Sequence, residues 1–292
     1  MSALLGADVA HLSWNLVDDV RQLLQHQFMV NALRAGAVVA VLAGAIGWFM
    51  VLRREAFAGH TLALVGFPGA AGAVWLGVSA NLGYYAFCVT AALVIAAPST
   101  GRGRARGEES AAIGTVQAFA LACGFLFATL YAGLLTETNA LLFGSFLGIT
   151  SAQVVTLAVV AAVALAALTA LARPLLFASV DADVAQARGL PVRLVSALFL
   201  VVLGVAVAEA SQITGSLLVF ALLVAPPAAA QRLTSRPGRG IVLSVVLAVA
   251  VTWLGLGIGY FSSYPIGFWI TTFAFGVYVL AHAASRLGVR TC

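Results

Sequence analysis

Nine long apolar runs punctuate the chain, at Phe28–Leu52, Thr61–Ser79, Leu82–Ala97, Ala111–Leu135, Ser151–Ala172, Leu194–Ala210, Ser216–Ala230, Ile241–Phe261 and Ile266–Ala284. Most approach or exceed the roughly 20 residues that carry an α-helix across a bilayer. The pattern predicts an all-α, polytopic membrane protein: a bundle of about nine transmembrane helices, or eight if one short run is re-entrant. A further apolar stretch, Asn139–Ile149, is too short to cross and is expected to lie at one surface or dip into it. Ahead of the first run, Val9, Leu12, Leu16, Val20, Leu23 and Leu24 recur at helical spacing beside Trp14. That spacing predicts a short amphipathic helix at the membrane interface. Asp8, Asp18 and Asp19 interrupt any apolar core there, which is not the pattern of a cleavable leader. The expected organisation is an extracytoplasmic interfacial segment (1–27), a transmembrane domain (28–285) and a cytoplasmic tail (286–292).

Charge then orients the bundle. Arg53 and Arg54 follow the first run, and Arg102, Arg104 and Arg106 the third. Arg173, Arg188 and Arg193 follow the fifth, Arg232, Arg236 and Arg239 the seventh, and Arg286 and Arg290 the ninth. The loops around Asn81, Glu137, Gln212 and Ser262 carry no arginine. Positive loops stay in the cytoplasm, so the N-terminus is expected outside and the C-terminus inside, in a bacterial cytoplasmic (inner) membrane.

Composition closes off several function classes. Residues are 62% hydrophobic and 9% charged, against about 45–50% and about 25% in soluble domains. The net charge of +5 comes from fifteen arginines in short loops, which gives no nucleic-acid surface. No lysine occurs anywhere. A P-loop needs one on the β/γ-phosphates, so any ATP hydrolysis belongs to a partner. No HExxH, GxSxG or paired carboxylates occur, so the chain is read as a non-catalytic subunit. Almost every run is uncharged inside, which argues against an ion-coupled secondary transporter. Cys88 and Cys123, inside apolar runs, read as small buried hydrophobes. Gly36, Gly44, Gly47, Gly255, Gly257 and Gly259 read as points of close helix approach, while Pro68 and Pro226–Pro227 should kink or unwind their helices.

Three stretches together resemble the permease subunits of bacterial zinc and manganese ABC importers. They are Phe28–Ala73 (with VLRR, then GHTLAL, then PG), Val180–Gly204 (VDADVAQARGLPVRLV) and Ser211–Leu233 (SQITGSLLVFALLVAPPAAAQRL). Weaker likeness runs from Leu141–Thr150 to Ser262–Ile270. The resemblance implies the metal-type importer permease fold, with a second copy of the chain around a central path. It further implies two P-loop ATPase subunits on the cytoplasmic face and an extracytoplasmic metal-binding protein that delivers a divalent transition metal, zinc or manganese. ATP is used by the partner, and no cofactor is held permanently. One departure stands out. His60 occupies the family's usual aspartate position and Leu64 its usual histidine, so this chain keeps a single ligand of changed type. That departure sustains the alternative of a related permease for another small substrate, such as a metal chelate.

Candidate residues follow from both readings. His60 is a transient, low-affinity metal ligand, made sufficient by pairing across a homodimer; the alternative is an interfacial histidine bonded to a loop carbonyl. Glu209 ends an otherwise uncharged run, and a lone carboxylate in lipid costs about 2.5–3.5 kcal/mol on insertion scales. It should face a cavity, a partner or the outer surface. Gln212, Thr214 and Ser216 add polar contacts at the same entrance, and Pro226 a break in the helix beyond it. Glu137, His11, His26 and Arg34 read as outer-face residues. In the cytoplasmic segment, Asp181 and Asp183 open a short helix where the dipole favours anions. Ala182, Ala185, Gln186 and Ala187 form its small-residue face, and Arg188, Gly189 and Pro191 end it. This segment is expected to couple to the ATPase.

Overall fold

A computed structural model describes residues 16–97, 106–130 and 148–287. Asn139–147, Glu137, His11 and the first part of the N-terminal segment lie outside the described residues. The helices, in chain order, are α1 (Leu16–Gln25), α2 (Gln27–Leu52), α3 (Ala56–Trp75), α4 (Ala80–Ala96), α5 (Arg106–Leu130) and α6 (Ser151–Val180). There follow α7 (Ala182–Ala187), α8 (Val192–Thr214), α9 (Ser216–Leu233), α10 (Pro237–Phe261) and α11 (Ile266–Arg286). Each of the nine apolar runs therefore meets one long helix. Among the described residues six of these (α2, α3, α6, α8, α10 and α11) are long and apolar enough to span a membrane, while α4, α9 and the apolar part of α5 are shorter. Large apolar side chains such as Val155, Val159 and Val163 on α6 and Phe268 and Phe275 on α11 point outward, where lipid solvates them without the hydrophobic cost water would impose.

Small residues decide which helices meet. α2 runs through the centre, packed on α6, α8, α9 and α10, and α3 packs on α4, α5, α8 and α9. A methyl group on Gly44 would lie 2.8 Å from the Val245 backbone of α10, and there the Ser244 hydroxyl donates to Gly44 O (2.7 Å). A methyl on Gly47 would strike the Leu223 carbonyl of α9 and sit 2.9 Å from Pro227 Cγ; one residue on, Gln231 Nε2 donates to Trp48 O (2.8 Å). Backbones this close leave lipid no room and exchange it for dispersion contacts. Gly255 and Gly259 pack against Ile270 and Ile266 of α11, but Gly257 has only Leu23 Cδ1 at 3.9 Å and marks no close approach. The sequence pattern passed over a further seam, where Gly69 of α3 and Gly83 of α4 face each other's backbones.

Breaks between helices are built from specific residues. Gly215 joins α8 to α9 with φ 78° and ψ 153°, a conformation open essentially to glycine alone. Arg53 holds the end of α2 against α8: its guanidinium donates to Glu55 (2.9 Å) and to Ser196 Oγ (2.7 Å) and lies 5.6 Å over the Phe199 ring. Pro68, Pro226 and Pro227 sit within helices that continue through them. The fifth run also outlasts its expected end at Ala172, since α6 passes Arg173 and Pro174 and continues to Val180. A proline costs its helix one hydrogen bond and crowds the preceding turn, and the flanking apolar turns Leu171–Ala172 and Leu175–Leu176, packed on the core, keep the helix continuous. Cys88 is buried as expected, whereas Cys123 is only partly so.

Candidate functional site

His60 lies in the second turn of α3, half-buried, with its ring 4.6 Å from that of Phe220 on α9 and Nδ1 shielded from solvent without a hydrogen-bond partner. The loop-carbonyl bond of the alternative reading is therefore not seen at Nδ1. Leu64 follows one turn later on the same face, since residues four apart stack along a helix. Both are half-buried while their neighbours Thr61, Leu62, Ala63 and Val65 are fully buried. On α9 the matching face, Phe220, Ala221, Val224 and Ala225, is half-buried too. The two faces form a mostly apolar strip that the isolated chain leaves partly open, with one imidazole in it. A neutral imidazole nitrogen without a partner can ligate a transition metal.

Glu209 sits in the last turns of α8 and is only 5% exposed, its Oε2 lacking any hydrogen-bond partner. It borders a cavity of about 250 Å³ shared by the starts of α4 and α6 and the end of α8. Asn81 and Tyr85 of α4, Gln153 and Thr156 of α6, and Gln212 of α8 supply its polar wall. Gln212 does join Glu209, because three residues bring it round to the same helix face; its Nε2 donates to Ala208 O (3.1 Å). Thr214 does not, since its hydroxyl is buried and turned back on Ala210 O (2.9 Å). The Ser216 side chain lies outside the described residues, and Pro226 is buried inside α9. Asn81, Tyr85, Gln153 and Thr156 escaped sequence reasoning: each is an ordinary polar residue near a helix start, and only packing of three distant segments brings them to Glu209. Polar residues opening otherwise apolar helices were the one available signal.

A polar clasp fixes this end of the bundle. Asn31 of α2 is buried, donates to Ile149 O (3.0 Å) and accepts from Ser151 Oγ (3.4 Å). Thr150 and Gln153 cap α6 reciprocally, Gln153 N donating to Thr150 Oγ1 (3.3 Å) and Thr150 N to Gln153 Oε1 (2.9 Å), which satisfies donors that a helix start leaves orphaned. His26 is stacked on Phe28 at 5.4 Å, and Arg34 is exposed.

At the far end, Asp181 both ends α6 and caps α7, with Val184 N donating to its Oδ1 (2.9 Å). Ala185 is buried, while Ala182, Asp183, Gln186, Ala187 and Arg188 are exposed. Gly189 closes the turn with φ 83°. Val180 is 84% exposed beside exposed Phe177 and Val184, so this projecting corner is apolar as well as small.

Comparison with known proteins agrees with this architecture. A model of the ABC 3 transport family matches residues 25–285. The manganese transport system membrane protein MntC of Halalkalibacterium halodurans is 30% identical over 248 residues, covering 85% of this chain and 83% of that protein. The manganese import system permease protein ScaB of Streptococcus gordonii is 29% identical over 241 residues, 82% of this chain and 85% of that one. Among solved structures, PsaBC from Streptococcus pneumoniae in complex with Fab aligns with a TM-score of 0.80 at 27% identity, over 91% of this chain and 95% of that chain.

Proposed function

The chain belongs to the ABC 3 transport family, and from that premise we propose that it is the membrane-spanning permease subunit of an ATP-driven importer of a divalent transition metal, with manganese as cargo ahead of zinc. Two relatives that cover 85% and 82% of the chain are named as manganese permeases, which supports that order. The single observation that carries the pathway is the half-open strip of α3 and α9, where His60 offers an unpartnered nitrogen beside Phe220. A second copy of the chain closes that strip and brings a second imidazole to it. One histidine per chain gives weak, reversible ligation, which transport requires.

The remaining parts follow the same reading. The N-terminus is outside and the C-terminus cytoplasmic, with nine crossings. Cargo handed over by an extracytoplasmic binding protein enters past Glu209 and Gln212, with Thr214 and Ser216 at the adjoining α8–α9 turn, and reaches His60 beside Phe220 before the Pro226 region further along α9. Two ATPase subunits dock on the corner formed by Asp181, Ala182, Asp183, Ala185, Arg188 and Gly189. Because Asp181 belongs to both α6 and α7, a push on this corner is transmitted along α6 into the membrane.

The test is uptake of manganese and of zinc by cells expressing the chain with its cognate ATPase and binding protein, wild type beside His60→Ala. Uptake of one metal that collapses in the variant supports the reading. Absence of both from wild type, with the ATPase active, refutes the metal assignment.

A further inference from the structure

The cavity beside Glu209 has a chemistry different from that of His60. Among the described residues, its lining side chains are neutral except one carboxylate, and no arginine or histidine lines it. That carboxylate is 95% buried as a residue and its inner oxygen has no partner. A buried carboxyl keeps its charge only when something of opposite sign meets it, and otherwise holds a proton; among the described residues no positive side chain of the cavity lining meets it here. The hydrogen bonds already made leave oxygens toward the cavity. Gln212 turns one of its two amide hydrogens to Ala208 O and keeps its Oε1 as an acceptor. Thr156 spends its hydroxyl hydrogen on Ala152 O (3.2 Å), leaving its lone pairs. Asn81 and Tyr85 add an amide and a phenolic oxygen. Gln153 differs, since its Oε1 already accepts from Thr150.

We infer that this cavity is a cation site: it holds one divalent, oxygen-preferring ion per chain, with Glu209 as the charged ligand and Gln212 and Thr156 contacting the ion or its waters. Oxygen donors without nitrogen or sulfur select hard ions of the manganese, magnesium and calcium kind over softer ones. About 250 Å³ exceeds the ~30 Å³ share of one water several times, so the ion retains part of its hydration. The site is remote from His60. α3 runs from His60 to Trp75 before the chain turns into α4 and Asn81, so about 20 Å of helix separates the two. This inference rests on the import reading in one respect, that the ion held here is cargo waiting before it is dehydrated for the imidazole site.

The experiment is a titration of the full chain, purified with its partner ATPase in detergent, with Mn²⁺ alone, read as loss of the free-ion six-line electron paramagnetic resonance signal. Wild type, His60→Ala, Glu209→Gln and Gln212→Leu are compared. One Mn²⁺ per chain should bind in His60→Ala as in wild type, fall at least tenfold in affinity in Glu209→Gln, and weaken about threefold in Gln212→Leu. Ca²⁺ should displace it. Gln212→Leu removes a donor whose hydrogen bond lies within its own helix turn, so it decides the matter if Glu209→Gln does not fold. Identical isotherms in wild type and the folded variants overturn the site, as does binding that disappears in His60→Ala alone. Uptake in cells separates this from the import reading: Glu209-dependent binding without uptake of manganese or zinc sinks import and leaves the site standing.

Discussion

Substituting Gly47 by alanine tests whether close backbone approach, rather than apolar character, holds the bundle together. The new methyl would strike the Leu223 carbonyl and lie 2.9 Å from Pro227 Cγ, where ordinary contacts begin near 3.4 Å. The carbonyl belongs to the α9 backbone and cannot rotate away, so α2 and α9 must part. Overpacking of this kind costs about 1–3 kcal/mol. Separation also stretches the 2.8 Å bond from Gln231 to Trp48 O, worth about 0.5–1.5 kcal/mol. Against these, alanine gains about 0.5–1 kcal/mol over glycine inside a helix. The net loss is about 2 kcal/mol. Gly257→Ala is the matched control, because its methyl meets only Leu23 Cδ1 at 3.9 Å and should be neutral or slightly stabilising. Thermal unfolding in detergent, followed by tryptophan fluorescence, should place the Gly47→Ala midpoint roughly 3 °C below wild type and Gly257→Ala at or above it. Equal shifts in the two variants would refute the packing argument, since helix propensity alone would then explain both.

Other perturbations probe the remaining parts. Leu64→His sets a second imidazole one turn from His60; metal affinity should rise about tenfold, and uptake at saturating metal should fall because release slows, measured by equilibrium dialysis and by transport. Arg53→Ala removes charged hydrogen bonds to Glu55 and Ser196 and the stacking on Phe199, at a cost of about 2–3 kcal/mol, visible as a lowered unfolding midpoint, with Arg53→Lys only partly restoring it. Asp181→Ala strips the cap from α7, about 0.5–2 kcal/mol locally; cargo-stimulated ATP hydrolysis by the partner should drop while membrane insertion persists, and unchanged stimulation would exclude this corner as the coupling element.

Much of this protein was legible in the order of its residues, for one physical reason. In lipid a helix must satisfy its own backbone and be apolar over its length, so each spanning segment announces itself locally. All nine apolar runs match helices, and Arg53–Arg54, Arg188 and Arg232 fall at or just beyond helix ends, while Arg173 lies inside α6. Gly189, Asp181 and the run between them likewise spelled out α7, because caps and left-handed turns are decided by a few neighbours. His60 and Glu209 stood out as ionisable residues in apolar surroundings. The fifth run ends at Ala172 in the sequence, where Arg173 follows it, whereas packing on both sides of Pro174 keeps α6 continuous to Val180.

What the sequence could not carry was which helices touch and what they enclose. Lipid is as apolar as leucine, so high hydropathy does not mark burial: α6 is at least as apolar as α2, yet α2 is largely buried and α6 largely exposed. That choice is made by shape: Gly44 and Gly47 admit α10 and α9, and Gly69 with Gly83 joins α3 to α4. The polar wall around Glu209 likewise exists only after three segments, more than fifty residues apart in the chain, converge at one end of the bundle. The sequence by itself determined which segments form long apolar helices and which residues are costly to place among them. The tertiary structure decided what each of those residues faces, because contact between helices depends on complementary surfaces that no single stretch contains.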